Sequence, residues 1–369
     1  MSKPYAVIAI TKHGVSVARR LHRELSECDV YYPRKFASGD EEGLAIAAYD
    51  SALTDLIPTL FRQYKGLICL ISLGATVRLV APFLQDKKTD PAIVVVDDRA
   101  QYAISVLSGH LGGANDLARR VAQILGATPV ITTASDVEGT VAVDLLGREF
   151  GFVIANPARI TAVSAAVVNG ERVHIIQEAG ERNWWTSTVP LPSNLHVYSD
   201  VDAALQEAFA ATLVITPRLL SPYETEQLLA NGVLYRPKVV VIGIGCNRKT
   251  TATEIAEGIQ GTLAELRLSV TSVRALATID RKADEPGLLE VCRRYDWPLL
   301  AYSAEELNRI PVPHPSEVVY RHVGAWGVCE PAARLASGAD DWWLEKKKLG
   351  NVTLSVCLAG EASGKLRKG

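Results

Sequence analysis

Chemistry is most concentrated in Ser108-Gly109-His110-Leu111-Gly112-Gly113-Ala114-Asn115. Three glycines strip side chains from a segment whose backbone N–H groups are thereby uncovered, and a titratable imidazole stands among them. An apolar run, Tyr102–Leu107, precedes the segment, and Asp116–Leu125 follows with apolar residues at every third or fourth position until Gly126. That order reads as strand, glycine-rich loop and helix. Asn115 or Asp116 can cap the helix, whose N-terminus favours an anion. The chemistry to expect is capture of a carboxylate or oxyanion, with proton transfer by His110. Ser108 has no visible triad partners, so activated water is the more economical hydrolytic nucleophile.

Other strand-end stretches carry complementary groups. Gly243-Ile244-Gly245-Cys246-Asn247-Arg248-Lys249-Thr250 invites a nucleotide reading, but a P-loop needs glycine before the lysine and a dinucleotide fingerprint needs its third glycine at 248. Arg248 stands there in both cases. What survives is either a donor-rich loop with two cations, suited to a carboxylate ligand, or a tight turn with a solvated basic pair. Thr278–Glu285 leaves another strand end with Asp280, Lys282 and Glu285, and by itself reads as a charged turn. Gly74 and Arg78 follow a strand, Arg78 being able to grip a carboxylate bidentately, whereas Lys87 can simply pair with Asp86 or Asp90. Thr132-Thr133-Ala134-Ser135-Asp136, followed by Asp144, offers hydroxyls and carboxylates, or only a helix cap. No G-x-S-x-G elbow and no H-E-x-x-H pair is present.

The elements that must position these residues alternate. Strands over 4–10, 66–72, 92–96, 102–107 and 128–133, with helices over 14–27 and 43–63 (interrupted near Pro58) and one starting at Leu73, predict an open, mostly parallel sheet in residues 1–145. Asn169-Gly170 between two apolar runs predicts a hairpin over 166–176. With a helix near 202–210 and a strand at 213–216 it suggests a small α+β middle domain, residues 146–220, joined onward through 217–237. From 238 the alternation restarts. Strands are expected at 239–244, 270–278, 298–301 and 351–359, and helices at 253–266 and 286–295. Capping boxes at Thr251/Glu254 and Ser303/Glu306 mark helix starts, and two short helices in 315–336 part at Gly324. This carboxy-terminal domain, 238–369, ends in a basic tail at Lys365–Gly369 expected to fray. The expected class is α/β: two open, mostly parallel α/β domains with the small middle domain between them.

Composition excludes several partners. The chain has 369 residues, 48% apolar and 22% charged, with a net charge of -2, which gives no electrostatic case for nucleic acid or an anionic membrane. The apolar run Tyr5–Ile10 is ended by Lys12 and His13 before a signal-peptide core forms, and no run approaches the ~20 apolar residues of a membrane span. A cytoplasmic location is expected. Cys28, Cys69, Cys246, Cys292, Cys329 and Cys357 are scattered without a C-x-x-C pair, so they read as reduced thiols and no structural metal is expected.

Taken together, Gly74-Ala75-Thr76-Val77-Arg78, Asp86-Lys87-x-x-Asp90-Pro91-Ala92, the Ser108–Asn115 loop and Val130-Ile131-Thr132-Thr133-Ala134-Ser135-Asp136 resemble the amino-terminal part of the CbiG family of anaerobic cobalamin biosynthesis. Gly243–Arg248, Ala277-Thr278-Ile279-Asp280-x-Lys282-x-x-Glu285-x-Gly287-Leu288 and Pro315-Ser316-Glu317-x-Val319 are similar to its carboxy-terminal part. The chain departs from the family pattern where Ser135 replaces the usual threonine and where Pro331 interrupts a Val-x-Glu-Ala-Ala-Ala run. The resemblance implies hydrolysis of cobalt-precorrin-5A: opening of a δ-lactone and release of acetaldehyde to give cobalt-precorrin-5B. It implies no resident cofactor, because the cobalt is carried by the substrate. On this reading His110 is general base on a water, the Gly112-Gly113 N–H groups hold the oxyanion, and Asp136 orients the base. Arg78, Arg248 and Lys249 hold rim carboxylates. Gly74, Lys87, Ser108, Gly109, Asn115, Thr132, Thr133, Gly243, Gly245, Cys246, Asp280, Lys282 and Glu285 complete the expected substrate contacts. The alternatives are a non-catalytic tetrapyrrole-binding or carrier protein of the same pathway and an unrelated carboxylate-substrate enzyme sharing the fold. Contact with neighbouring pathway enzymes and a homodimer are left open.

Overall fold

Gly66-Leu67-Ile68-Cys69-Leu70 is apolar at every position, which marks a strand covered on both faces. It lies at the centre of a seven-stranded sheet in a computed structural model that describes residues 3–87 and 89–360. The tail expected at Lys365–Gly369 lies outside the described residues. The chain divides into two compact units, Met1–Leu145 and Leu146–Gly369.

The first unit contains β1 (Tyr5–Ala9), β2 (Cys28–Pro33), β3 (Ala47–Tyr49), β4 (Gly66–Leu70), β5 (Ala92–Val96), β6 (Tyr102–Leu107) and β7 (Thr128–Val130), in the order β3-β2-β1-β4-β5-β6-β7. Its helices are α1 (Lys12–Glu24), α2 (Leu53–Gln63), α3 (Leu73–Val80), α4 (Ala114–Leu125) and α5 (Ala134–Val137). Ala18, Leu21, Leu117 and Val121 of α1 and α4 fill the core on one face of the sheet, and Ile57, Leu60 and Val80 of α2 and α3 fill the other. The second helical region starts later than expected. Ala47-Ala48-Tyr49 pairs with β2 as a strand, and Pro58 sits inside α2 without ending it.

One reversal in this sheet decides where the site forms. β1 to β5 are mutually parallel, but the connection 97–101 is too short for a crossover, so β6 returns antiparallel to β5. The Asp97 carboxylate closes that turn by accepting from the N–H groups of Arg99, Gln101 and Tyr102. Leu107 therefore ends β6 beside Ile93, at the start of β5, and β7 runs parallel to β6. Loops leaving β6 and β7 emerge together, at the opposite end of the sheet from those leaving β1, β4 and β5.

In the second unit, β8 (Val153–Ile154), β9 (Val173–Gln177), β10 (Leu195–Tyr198), β11 (Ala211–Ile215) and β12 (Gly232–Arg236) form a sheet in the order β10-β9-β11-β12-β8. It is parallel except for β8. The hairpin expected around Asn169-Gly170 is absent. Residues 160–168 are α6 (Ile160–Val168), whose buried Val163, Ala166 and Val167 follow helical spacing, and Gly170 ends it at φ +73°. The expected α+β middle is therefore another mostly parallel sheet. The helix expected at 202–210 is the single turn α7 (Val201–Ala204). Residues 217–237, expected as a joint, fold into α8 (Pro222–Leu229), opened by a full Ser221/Glu224 capping box, and into β12.

The other sheet of this unit orders β13 (Val240–Cys246), β14 (Val273–Ile279), β15 (Leu299–Tyr302), β16 (Leu344–Leu349) and β17 (Val352–Leu358) as β15-β14-β13-β17-β16. β13, β14 and β15 are parallel, while β17 and β16 alternate in direction. α9 (Ala252–Glu265), α10 (Pro286–Tyr295), α11 (Ala304–Asn308), α12 (Glu317–Val323) and α13 (Cys329–Ser337) complete it. Ser303 and Glu306 form the expected capping box, but at Thr251 only half of it forms. Glu254 instead accepts from the Asn351 N–H. Among the described residues no helix is long and apolar enough to cross a membrane.

Gly243 shows how tightly α13 lies on this sheet, since a Cβ there would sit 1.8 Å from the Cys329 carbonyl oxygen. Gly243→Ala should cost about 3 kcal/mol through overpacking, read as a lower urea midpoint. A midpoint equal to the parent's would contradict the close approach.

Candidate active site

The loop leaving β6 is closed by its own backbone. Gly113 N–H donates to His110 O (2.9 Å), Ala114 N–H to Ser108 O (3.1 Å) and Asn115 N–H to Gly109 O (3.0 Å). Ser108 and Gly113 both adopt positive φ, +58° and +85°. A Cβ on Gly112 would lie 2.3 Å from the Ser108 Cβ, and one on Gly109 would lie 2.7 Å from Asn115 Oδ1. These glycines are thus required by the loop's own folding. The Gly113 N–H, expected to hold an oxyanion, is already engaged, which leaves Gly112 as the donor of that pair.

Asn115 and Asp116, the two residues expected as alternative caps, both lie inside α4 behind Gly113, with Asn115 buried to 4% exposure. Its Oδ1 accepts from Ser105 Oγ (2.7 Å), and its Nδ2 donates to Thr133 Oγ1 and Asp136 Oδ2, both at 2.9 Å. It joins β6, α4 and the start of α5. Buried amides are retained where each polar atom finds a partner, as here.

This bracing sets His110 between two carboxylates. Its Nδ1 lies 3.1 Å from Asp144 Oδ1, while its Nε2 lies 3.3 Å from Asp136 Oδ2 and 3.0 Å from Ser135 Oγ. The bond to Asp144 raises the imidazole pKa above its ordinary value, against the opposing effect of burial. Burial pulls the Asp144 carboxyl upward, but His110 outweighs it and holds Asp144 below the usual carboxylate range, helped by the charge of Lys87. Asp136 is held on its other oxygen by Arg119, which also donates to Asp116 at 2.9 Å. A carboxylate only accepts, so each of the two favours a proton on the ring nitrogen it faces; the closer Asp144 favours the neutral ring with its proton on Nδ1, which leaves Nε2 as a base.

The predicted residues separate into three groups. His110, Asp136, Asn115, Thr133 and the loop glycines converge, and the charge of Lys87 reaches Asp144. Thr132 is exposed next to them. Gly74 and Arg78 do not join them. They belong to α3, which leaves β4 at the far end of the sheet, and Arg78 folds back on Gly74 O at 3.1 Å.

The third group lies in the second unit, where β13 and β14 end side by side. Cys246, Arg248, Lys249, Asp280, Lys282 and Glu285 gather there. Glu285, at 2% exposure, accepts from the Lys249 N–H and lies 3.7 Å from both Lys282 Nζ and Arg248 Nη1. It is an internal counter-ion bracing the loop. Burial pushes the Cys246 thiol up, Lys282 opposing it. Gly243 and Gly245 meet Cys329 and Thr353, so close packing accounts for them.

Ser135 and Asp144 were noted in sequence only as a hydroxyl and a carboxylate near a strand end, without a role. Asp144 is a partly buried carboxylate among the buried Val141, Val143 and Leu146.

Family models for the cobalamin synthesis G N-terminal region, the cobalamin biosynthesis central region and the cobalamin synthesis G C-terminus match residues 55–136, 141–237 and 240–357. The chain belongs to the CbiG family. A cobalt-precorrin-5A hydrolase of Priestia megaterium is 54% identical over 354 residues, spanning 96% of this chain and 94% of that one. Another, of Salmonella typhimurium, is 31% identical over 347 residues, spanning 90% and 91%. Protein CobE of a Sinorhizobium species is 30% identical over 131 residues, covering 35% of this chain and 84% of its own. That the family match extends through all three sheets sets His110 and the Cys246 group within one family framework.

Asp144→Asn should lower the His110 pKa, followed by NMR titration of the imidazole. A folded pKa raised above the unfolded value, near 6.5, gives stability that is full below that value and lost as pH rises through the folded one. The variant should lose the Asp144 share of that pH dependence and keep the share due to Asp136. An unchanged His110 titration would contradict the pairing.

Proposed function

We propose that this chain hydrolyses the δ-lactone of cobalt-precorrin-5A and releases the two-carbon bridge as acetaldehyde, giving cobalt-precorrin-5B. The name carried by its full-length relatives supports the substrate. The observation that carries the mechanism is the Asp144–His110 pair within the glycine-rich loop. His110 Nε2 takes a proton as the lactone carbonyl is attacked, and the Gly112 N–H is the donor assigned to the developing oxyanion. Water is consumed, the ring C–O bond breaks, and a carboxylate and a hydroxyl result. Loss of the hydroxyl proton then forms the aldehyde C=O while the adjoining C–C bond breaks, its electron pair passing into the conjugated macrocycle.

On this reading the cobalt arrives with the substrate and the protein works in the cytoplasm. Lys87, whose charge reaches Asp144, is the cation assigned to a rim carboxylate beside His110. A carrier that merely shields an intermediate has no use for an imidazole oriented by one carboxylate and faced by another, and the full-length relatives favour the hydrolase. His110→Ala should slow acetaldehyde release from cobalt-precorrin-5A by about 10²–10⁴-fold. A near-normal rate would remove His110 from the chemistry.

A further inference from the structure

The proposed hydrolysis leaves open which oxygen attacks the lactone, and the geometry around Nε2 addresses that. Ser135 lies in the first turn of α5, immediately after the segment leaving β7, and is buried to 7% exposure. Its hydroxyl stands 3.0 Å from His110 Nε2, whose other ring nitrogen is 3.1 Å from Asp144. Oxygen, imidazole and carboxylate thus follow one another as in the serine-histidine-aspartate arrangement of acyl transfer, which recurs on unrelated folds and is recognised by geometry rather than sequence order. Because Asp144 accepts from Nδ1, the neutral ring presents only a lone pair at Nε2. A hydroxyl can donate to that lone pair and a carboxylate cannot.

Asp136 completes the logic. Its Oδ2 is 3.3 Å from Nε2, an unfavourable contact of two acceptors while Nε2 is bare and an attractive one once Nε2 carries a proton. Asn115 and Arg119 hold Asp136 in that position beforehand. The neutral ring is therefore matched to Ser135 and the protonated ring to Asp136, a pair of partners suited to taking the serine proton.

We infer that Ser135 is the nucleophile and that lactone opening passes through an ester on its Oγ; the inference rests on the hydrolase reading above. Ser135 Oγ bonds to the carbonyl carbon and its proton moves to Nε2. The ring C–O bond breaks and the leaving alkoxide takes that proton. Water then attacks the ester with Nε2 as base, Ser135 departs with the proton, and the net change is addition of one water. The hydroxyl freed in the first half is the one that later becomes the aldehyde oxygen.

The test is acid-quenched incubation of the protein with cobalt-precorrin-5A, read by acetaldehyde release, by mass of the protein and its Ser135 peptide, and by hydroxamate formed when hydroxylamine is present. The expected result is an adduct on that peptide or a hydroxamate in place of the free acid. Ser135→Ala, with its fold checked by thermal unfolding, should lose both signals and about 10³-fold or more in turnover, while Ser135→Thr, which keeps the hydroxyl, should retain turnover. Release by Ser135→Ala within about threefold of the parent, or parent turnover with neither adduct nor hydroxamate, overturns the inference while sparing the hydrolase reading. A parent protein that releases no acetaldehyde overturns both.

Discussion

The site depends on one close pairing, that of His110 Nδ1 with the Asp144 carboxylate. A neutral imidazole has one donor and one acceptor, and assigning the donor to a carboxylate decides the role of the other nitrogen. Ser135 is placed to donate to Nε2, Asp136 is placed to receive from it after protonation, and Asn115 with Arg119 fixes Asp136. Were the Nδ1 pairing lost, the ring could turn or change tautomer, and the other contacts would no longer define a direction for proton transfer.

Strand direction makes that pairing available. His110 and Ser135 follow different strands, and they meet because β6 turns back on β5 and β7 runs with β6. The same reversal separates Gly74 and Arg78 from the cluster, although both also follow a strand. In an open sheet, strand-end loops share a site only when their strands point the same way. The second unit obeys this rule, with the Cys246–Lys249 and Asp280–Glu285 loops leaving parallel neighbours.

Much of this was legible in the residues. The strongly periodic elements stood out, such as β6 with its loop and α4, and α10, whose bounds agree with the apolar spacing. Other elements were masked by local signals that tertiary structure overrode. Asn169-Gly170 imitates a hairpin turn but ends a helix, and the lysines of β16 disguise an edge strand, where charge is tolerated. The glycines were read as openings for a ligand, yet Gly109, Gly112 and Gly243 each answer a close approach within the protein. Asp144 could be noted in sequence but given no role, because no motif surrounds it; its meaning comes from a contact across 34 residues of sequence that only the fold creates. The histidine was legible and its partners were only partly so.

The central claim is the protonation pattern of one ring, and imidazole nitrogen chemical shifts in protein labelled with ¹⁵N-histidine read it directly. Above the pKa of His110, the account predicts a protonated-type shift at Nδ1 and an unprotonated, hydrogen-bond-accepting shift at Nε2. A neutral ring carrying its proton on Nε2 would contradict it, since neither Asp144 nor Ser135 could then act as described.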